Sequence, residues 1–302
     1  MNLLITGAWN GAQKYMQALR ERGHSVCFMQ QETDALPCEA AWVDGIVGNG
    51  IFLHHPIQDF VNLKYIQLTS AGFDRVPMEY AEKKHIAVYN ARGVYSVPMA
   101  EFAVAGVLTL YKQMRFLAEH QKAHVWEKHR DLRELSGKTV CIVGCGSVGT
   151  ACAKRFRAFD CRIIGIDLFP KQDKQYDTML PLSDLDHALP QADVVVLTLP
   201  LTAETTHLFD AERLAQLSHD AVLVNIARGA IVDTAALTAA LPNLGGAVLD
   251  VFEEEPLPAD SPLWNAENVV ITPHNSFVGE GNPARLDTLI MDHLTEWNSD
   301  NR

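Results

Sequence analysis

An apolar run that ends in three closely spaced glycines constrains the fold more than any other feature of the sequence. Residues 139–156 read TVCIVGCGSVGTACAKRF, in which Gly144, Gly146 and Gly149 have the spacing G-x-G-x-x-G. The run before the first glycine is short and apolar, as in a buried strand, and a helical pattern follows the glycines. A strand and a helix joined by glycines at this spacing are typical of a parallel α/β unit, because the backbone must turn tightly and pack closely there.

An acidic residue at the end of the next apolar run extends this pattern. Asp167 ends the run RIIGID, 18 residues beyond Gly149 (167 − 149), and dinucleotide-binding units have an acid at about 20 residues. The amides of Ser147 and Val148 are expected to face phosphates at the helix N-terminus. A carboxylate accepts hydrogen bonds from ribose hydroxyls and repels a 2′-phosphate, so the sequence predicts NAD in preference to NADP. The alternative is a glycine-rich turn with a structural role only.

Short apolar runs alternate with amphipathic stretches along all 302 residues. This alternation predicts an α/β fold with parallel sheets and helices on their faces, and the length suits two domains. We expect two Rossmann-like or flavodoxin-like domains around a central cleft. The predicted cofactor domain is residues 99–273, and the predicted substrate domain is residues 1–98 plus 274–302.

Helical patterns predict two further long elements. Residues 98–121 are predicted to form one helix, with Ser96 as its cap and Pro98 in its first turn, that ties the two domains together. Residues 282–297 are predicted to form an amphipathic C-terminal helix. The runs predicted to be strands lie at 2–6, 24–29, 44–49, 64–70, 139–144, 162–167, 193–200, 221–227, 245–250 and 268–272.

The charge and the cysteines narrow the class of protein. A net charge of −12 argues against nucleic acid or an anionic membrane as a partner. No apolar run approaches the roughly 18 residues of a membrane span, and the first residues lack the basic leader of a secretory signal. The six cysteines show no C-x-x-C spacing, so we expect reduced, structural thiols in a cytoplasmic protein, and neither a zinc site nor a disulfide framework.

Three polar side chains follow apolar runs in the second half of the chain. Arg228 follows LVNIA, Glu255 lies in LDVFEEEPLP, and His274 lies in VVITPHNS. Ligands of open α/β sheets bind outside the carboxyl ends of the strands, so we expect these three side chains to gather at one edge. Taken singly, they have plainer interpretations: an arginine in a solvated loop, one charge of an acidic loop, and a histidine that caps a strand.

Several of these stretches together resemble the D-isomer-specific 2-hydroxyacid dehydrogenase family. They are NIARGAIVDTAAL, AVLDVFEEEPLP and NVVITPHNS, with VGCGSVG upstream, and with LTSAGFD (68–74) and VPMAEFAV (97–104) in the first half. The resemblance covers nearly the whole chain. It implies an NAD-dependent oxidoreductase, usually a homodimer, that interconverts a 2-oxo acid and a D-2-hydroxy acid by hydride transfer. The motifs specify the family and leave the substrate open, with glyoxylate or hydroxypyruvate reduction as one specific activity.

The resemblance also assigns roles to the three polar side chains. Arg228 binds the carboxylate and the 2-oxo oxygen of the substrate with its planar guanidinium. His274 gives a proton to the carbonyl oxygen as the hydride arrives, and takes it back in oxidation. Glu255 hydrogen-bonds the imidazole and stabilises its charged form. Among three adjacent glutamates, Glu255 is chosen because the acid of the family directly precedes the proline, here Pro256.

Five more residues are predicted to contact ligands. The backbone amides of Ala71 and Gly72 are expected to hold the substrate carboxylate. Ala227 and Asp250 are expected to meet the nicotinamide carboxamide, and Thr205 the edge of the cofactor. No metal is expected.

Two other functions are compatible with such a fold. One is an NAD(H)-sensing, corepressor-like binding protein, which the intact set of arginine, glutamate and histidine disfavours. The other is a formate dehydrogenase, whose reaction needs no acid–base pair and which has glutamine where Glu255 stands.

Overall fold

The computed structural model describes the backbone of residues 1–300 and the side chains of residues 1–297. The chain divides into two compact units. The terminal unit consists of Met1–Tyr95 and the chain from Gly279 onward, and the central unit is Ser96–Val278. Within the described residues, no helix is both long and apolar enough to cross a bilayer.

The terminal unit is built on a five-stranded parallel sheet in the order β2-β1-β3-β4-β5. This is the strand order of flavodoxin-like folds. Its strands are β1 (Asn2–Thr6), β2 (Ser25–Met29), β3 (Gly45–Gly48), β4 (Tyr65–Leu68) and β5 (Ala87–Tyr89), and its helices are α1 (Ala12–Glu21), α2 (Met78–Lys83) and α9 (Asn282–Asp300).

The central unit is built on a seven-stranded parallel sheet in the order β12-β11-β10-β9-β6-β7-β8. The order reverses direction between β6 and β9, which is the place where doubly wound sheets open a crevice for a dinucleotide. Its strands are β6 (Thr139–Val143), β7 (Arg162–Asp167), β8 (Thr178–Pro181), β9 (Val194–Leu197), β10 (Val222–Asn225), β11 (Gly246–Leu249) and β12 (Val269–Ile271). Its helices are α3 (Ser96–Tyr111), α4 (Met114–Ala123), α5 (Ser147–Arg157), α6 (Leu185–Ala188), α7 (Ala211–Gln216) and α8 (Thr234–Ala240).

The inner strands of the central sheet are buried on both faces. In β9, Val194 and Val196 belong to a core cluster shared with α3 and α5, whereas Val195 and Leu197 belong to a second cluster shared with α7 and α8. Successive side chains of a strand point to opposite faces, so a continuous apolar run fits a sheet that is covered on both sides. The predicted α/β class with two parallel sheets is confirmed.

The prediction of one helix over residues 98–121 is wrong. The structure has two helices there, α3 and α4, and Gln113 adopts a left-handed backbone with φ of 48° between them. Neither glycine nor proline marks the break. Lys112 donates from Nζ to the carbonyl oxygen of Arg133 at 2.7 Å, a contact 21 residues away in the chain. The short strands β5 and β8 are not predicted from the sequence either, because each is only three or four residues long.

Candidate functional site

The loops that follow β10, β11 and β12 leave the same edge of the central sheet. The three strands lie side by side in parallel, with Asn225 opposite Leu249. Arg228 lies in the first loop, Glu255 in the second and His274 in the third. The structure therefore brings the three predicted catalytic side chains to one edge, as expected from the carboxyl-end rule.

His274 and Glu255 form a hydrogen-bonded pair. Nδ1 of His274 lies 2.9 Å from Oε2 of Glu255, and Oε1 of Glu255 accepts from the backbone N–H of Phe252 at 3.0 Å. Among the described residues, no group contacts Nε2 of His274 at hydrogen-bond distance. A partner on one ring nitrogen fixes the orientation of the imidazole and leaves the other nitrogen available for a reacting atom.

The backbone of His274 is held in an unusual conformation by the end of β11. Its φ is 50°, which is uncommon for a residue other than glycine. Its N–H donates to the carbonyl oxygen of Asp250 at 2.7 Å. The fully buried carboxylate of Asp250 accepts from the hydroxyl of Thr272 and from the amides of Asn275 and Ser276, at 2.7, 2.7 and 2.9 Å. Asp250 thus shapes the loop that carries His274, a role not apparent from the sequence, and its contact with the nicotinamide carboxamide stays a prediction.

A buried asparagine fixes the loop that carries Arg228. Asn225 ends β10, and its side chain accepts from the amide of Ala227 at 3.1 Å and donates to the carbonyl oxygen of Arg228 at 3.0 Å. The guanidinium of Arg228 donates from Nη1 to the carbonyl oxygen of Ala227 at 2.7 Å and is half-buried. Asn225, the one polar residue of the run AVLVNIA, therefore stabilises the turn through hydrogen bonds to its backbone. The only sign of this role in the sequence is that a polar residue stands alone among apolar ones.

The glycine after Arg228 allows two of these loops to pack backbone against backbone. A Cβ atom at Gly229 would lie 1.8 Å from the carbonyl carbon of Phe252 and 2.4 Å from the amide nitrogen of Glu253. No side chain fits into this distance, so the Arg228 loop and the Glu255 loop touch because residue 229 is glycine.

The glycine-rich turn after β6 has the geometry that a dinucleotide requires. Gly144 has φ of 96°, and a Cβ at Gly149 would lie 2.1 Å from the carbonyl oxygen of Gly144. Gly146 is the N-cap of α5, and Ser147 and Val148 are the first two residues of that helix. Among the described residues, no protein group accepts from the amides of Ser147 and Val148, and the glycines beside them carry no side chain, which fits a pyrophosphate.

Asp167 stands beside this turn at the end of β7. Its Oδ2 accepts from the amide of Cys145 at 2.7 Å, and its Oδ1 accepts from the amide of Phe169 at 3.0 Å. A carboxylate offers about four lone-pair sites, so these two bonds position the group and leave sites for ribose hydroxyls. The structure places the glycines and the acid together as predicted.

Thr205 is held inside the loop after β9. Its side chain is buried, its hydroxyl donates to the carbonyl oxygen of Pro200 at 2.8 Å, and its oxygen accepts from the amide of Thr202 at 2.7 Å. These bonds give Thr205 a role in the shape of the loop. A contact with the edge of the cofactor stays a prediction.

Ala71 and Gly72 lie in the loop after β4, in the terminal unit. The carbonyl oxygen of Ala71 accepts from Asn90 at 2.6 Å, and that of Gly72 accepts from Ser70 at 3.1 Å. Within the part of the chain that the structure describes, no protein group accepts from either N–H. The loop thus offers backbone donors to a ligand.

No metal site is found among the described residues. No cluster of three or more histidine, cysteine, aspartate or glutamate side chains there could hold a metal ion. The six cysteines form no disulfide.

Known proteins resemble the chain in sequence and in structure. The family profile described as "D-isomer specific 2-hydroxyacid dehydrogenase, NAD binding domain" matches residues 104–276. A glyoxylate reductase of Thermofilum pendens is 35% identical over 272 residues, which cover 87% of this chain and 74% of that protein.

Two solved structures extend the likeness to nearly the whole chain. A D-isomer specific 2-hydroxyacid dehydrogenase family protein from Aeromonas salmonicida superposes with a TM-score of 0.85 at 30% identity, covering 99% of this chain and 95% of that one. D-lactate dehydrogenase from Aquifex aeolicus, in complex with NAD and lactic acid, superposes with a TM-score of 0.79 at 25% identity, covering 99% and 96%.

Proposed function

Since the chain belongs to the D-isomer-specific 2-hydroxyacid dehydrogenase family and is an NAD-dependent oxidoreductase of 2-oxo and 2-hydroxy acids, we propose that Arg228, Glu255 and His274 carry its reaction. The observation behind this proposal is the 2.9 Å hydrogen bond between Nδ1 of His274 and Oε2 of Glu255, at the sheet edge that also carries Arg228. An imidazole anchored on a carboxylate next to a guanidinium can transfer a proton to a bound oxo acid.

The proposed mechanism divides the work among these three side chains. When bound, the nicotinamide cofactor would supply the hydride for C2 of the oxo acid. Arg228 binds the carboxylate of the acid and draws electron density towards the 2-oxo oxygen. His274 donates a proton from Nε2 to that oxygen, so no free alkoxide forms. Glu255 keeps the imidazole oriented through Nδ1 and stabilises its charged form. In oxidation, neutral His274 takes the proton back.

We assign the cofactor to the central unit and the substrate domain to the terminal unit. The glycine turn and Asp167 support the first assignment, and the donors of Ala71 and Gly72 support the second. In this proposal, the amides of Ala71 and Gly72 bind the substrate carboxylate. The boundaries predicted from the sequence assign the same roles, with residues 99–273 as the cofactor domain and residues 1–98 plus 274–302 as the substrate domain.

We propose NADH in preference to NADPH, on the position of Asp167. Its carboxylate is fixed by two backbone amides beside the glycine turn. A fixed negative charge attracts ribose hydroxyls and repels a 2′-phosphate.

We propose glyoxylate or hydroxypyruvate as the preferred oxo acid, because the 35% identical protein of Thermofilum pendens is a glyoxylate reductase. The test is a kinetic panel of glyoxylate, hydroxypyruvate, pyruvate, and branched and aromatic oxo acids, each with NADH and with NADPH. We expect the highest kcat/KM for a two- or three-carbon acid with NADH. A preference for NADPH would contradict the role of Asp167, and NADH binding without turnover of any acid would support a nucleotide-sensing protein instead.

We also propose that the protein is a homodimer formed through the central unit. Helix α4 has no buried residue, and exposed apolar side chains lie on it and just after it. They are Met114, Leu117, Val125 and Trp126. Trp126 is 97% exposed, and an apolar patch of this kind is typical of a protein interface.

Sedimentation velocity tests the dimer. Wild type is expected to sediment as two chains of 33.4 kDa, and Trp126→Glu is expected to shift it towards one. Val61→Glu, at a position 70% exposed in the terminal unit, is the control and should remain dimeric. A monomeric wild type would contradict this proposal.

A cytoplasmic location is consistent with the six unpaired thiols, because oxidising compartments favour disulfides. This location remains a prediction.

A further inference from the structure

A second histidine–glutamate pair lies next to the proposed catalytic pair. Oε1 of Glu253 lies 2.6 Å from Nε2 of His207, and Oε2 of Glu253 accepts from the backbone N–H of Thr234 at 2.8 Å. Glu253 precedes Glu255 by two residues, in the same loop. Neither His207 nor Glu253 has a part in the proposed proton transfer.

This carboxylate joins three loops at one point. The β9 loop (198–210) carries His207, the β10 loop (226–233) carries Arg228, and the β11 loop (250–256) carries Glu253 and Glu255. Thr234 is the first residue of α8, directly after the β10 loop. The side chain of Glu253, in the β11 loop, therefore bonds both to His207 in the β9 loop and to Thr234 directly after the β10 loop.

The backbone already ties two of these loops together. In the β9 loop, the N–H of His207 donates to the carbonyl oxygen of Ala230 at 2.8 Å, and that of Phe209 donates to Ile231 at 3.0 Å. The carbonyl oxygen of Phe209 in turn accepts from Asp233 at 3.1 Å. The β9 and β10 loops thus form one support on which the β11 loop rests.

Glu253 gives the β11 loop its side-chain hydrogen bonds to this support, beside the apolar packing of Phe252, which belongs to the same buried cluster as Phe209 and Ile231. The backbone of the β11 loop touches Gly229 without side-chain contact, and the bond from the amide of Phe252 to Oε1 of Glu255 stays within the loop itself. Glu254, between the two bonded glutamates, is exposed and makes no hydrogen bond or ion pair within the described residues.

The hydrogen bond between His207 and Glu253 favours the charged form of both side chains. The hydrogen bond to Glu253 raises the pKa of His207, and the negative charges of Glu253 and Asp233 act in the same direction. Partial burial alone would raise the pKa of Glu253, but the bonds from Thr234 and His207 outweigh it and hold the pKa below its usual value. The ionic form of the pair is therefore favoured, and it is lost as the pH rises through the raised pKa of His207.

We propose that Glu253 is a positioning residue which, through His207 and Thr234, clamps the loop carrying Glu255 onto the loop carrying Arg228. The proposal rests on the proposed function of Arg228, Glu255 and His274. A misplacement of about 1 Å can cost roughly 100-fold in rate, so a clamp on the Glu255 loop controls how well His274 is oriented for proton transfer.

Glu253→Ala tests the clamp, with Glu254→Ala as the matched control in the same loop. We expect kcat/KM for the oxo acid to fall about 10-fold in Glu253→Ala, mainly through kcat, with KM for NADH within about 2-fold of wild type. Glu254→Ala should stay within about 2-fold of wild type. Equal losses in the two variants, or no loss in Glu253→Ala, would overturn the proposal.

A pH profile separates positioning from a general loss of stability. Glu253→Gln keeps the size of the side chain and removes its charge. The ratio of kcat/KM for wild type to that for Glu253→Gln is expected to be largest while His207 is protonated, and to fall towards 1 at alkaline pH, where His207 is neutral in both proteins. A ratio that does not change with pH would contradict the role of the ion pair.

Two further measurements keep the test independent of folding and of catalysis. If Glu253→Ala does not fold, His207→Gln, Glu253→Gln and the double variant take its place. The effects of the two single changes on kcat/KM are expected to be non-additive, and additive effects would overturn the clamp.

Hydrogen exchange at the amides of Phe252 and Thr234 should quicken in Glu253→Ala or Glu253→Gln and remain slow in Glu254→Ala. Exchange is read without turnover, so the clamp can hold even where the proposed oxidoreduction fails.

Discussion

Replacing His274 with asparagine is expected to slow reduction of the oxo acid by about 10²- to 10⁴-fold, the usual range for loss of a general acid. Nδ1 of His274 is bonded to Glu255 at 2.9 Å, and asparagine can keep a hydrogen bond to that carboxylate. Asparagine has no group that delivers a proton at neutral pH, so the 2-oxo oxygen would become an unprotonated alkoxide as the hydride arrives. The measurement is single-turnover oxidation of bound NADH, which follows the chemical step directly.

Two controls belong to the His274 experiment. NADH binding, measured by titration, should change little in His274→Asn, since the glycine turn follows β6 and Asp167 ends β7, away from the loop after β12. His219→Asn, at an exposed histidine of the central unit, should keep the wild-type rate. A rate for His274→Asn within a few-fold of wild type would remove His274 from the mechanism.

Glu255→Gln tests the partner of His274 in the same assay. The variant keeps the shape of the side chain and removes the negative charge that stabilises the protonated imidazole. Reduction requires protonated His274, so single-turnover reduction should slow about 10- to 100-fold in the variant, the loss expected for one charge-assisted hydrogen bond. A rate within about 2-fold of wild type would show that Glu255 is not the charge partner of His274.

Arg228→Lys is expected to lower kcat/KM for the oxo acid by about 10- to 100-fold, because one charge-assisted hydrogen bond contributes roughly 1.5–3 kcal/mol. Lysine keeps the positive charge but loses the planar pair of donors that matches a carboxylate. The loop itself should persist, since Asn225 holds it through backbone groups of Ala227 and Arg228.

Steady-state kinetics with varied oxo acid and with varied NADH separate the possible outcomes for Arg228→Lys. KM for the oxo acid should rise and kcat should fall, whereas KM for NADH should change little. Arg130→Lys, at an exposed position of the central unit, serves as the control. Near-normal kinetics in Arg228→Lys would mean that the arginine belongs to a solvated loop and not to the substrate site.

Much of the central unit could be predicted because its signals are local. Gly144 and Gly149 stand where the backbone allows no Cβ, and Asp167 ends a strand at the expected distance. The apolar run of β10 predicts its burial on both faces. The break at Gln113 has no such signal, because the contact of Lys112 with Arg133 that accompanies it crosses 21 residues.

The hydrogen-bond partners of the polar residues of the site could not be predicted from the sequence. Asp250 is predicted to meet the cofactor, and the structure shows in addition that its carboxylate is bonded to groups that lie 22–26 residues further along the chain. The three adjacent glutamates look alike in sequence, and only the proline after Glu255 separates them. Their distinct partners, His274 for Glu255 and His207 for Glu253, depend on how three loops meet.

The residue at position 274 must satisfy two independent requirements, a left-handed backbone and an imidazole side chain for proton transfer. A φ of 50° suits glycine, asparagine and aspartate, and is costly for β-branched residues. A valine or threonine there would disturb the loop in addition to removing the imidazole, and its inactivity would say little about proton transfer. A side chain at position 274 must therefore be compatible with the left-handed backbone before it can serve in acid–base chemistry.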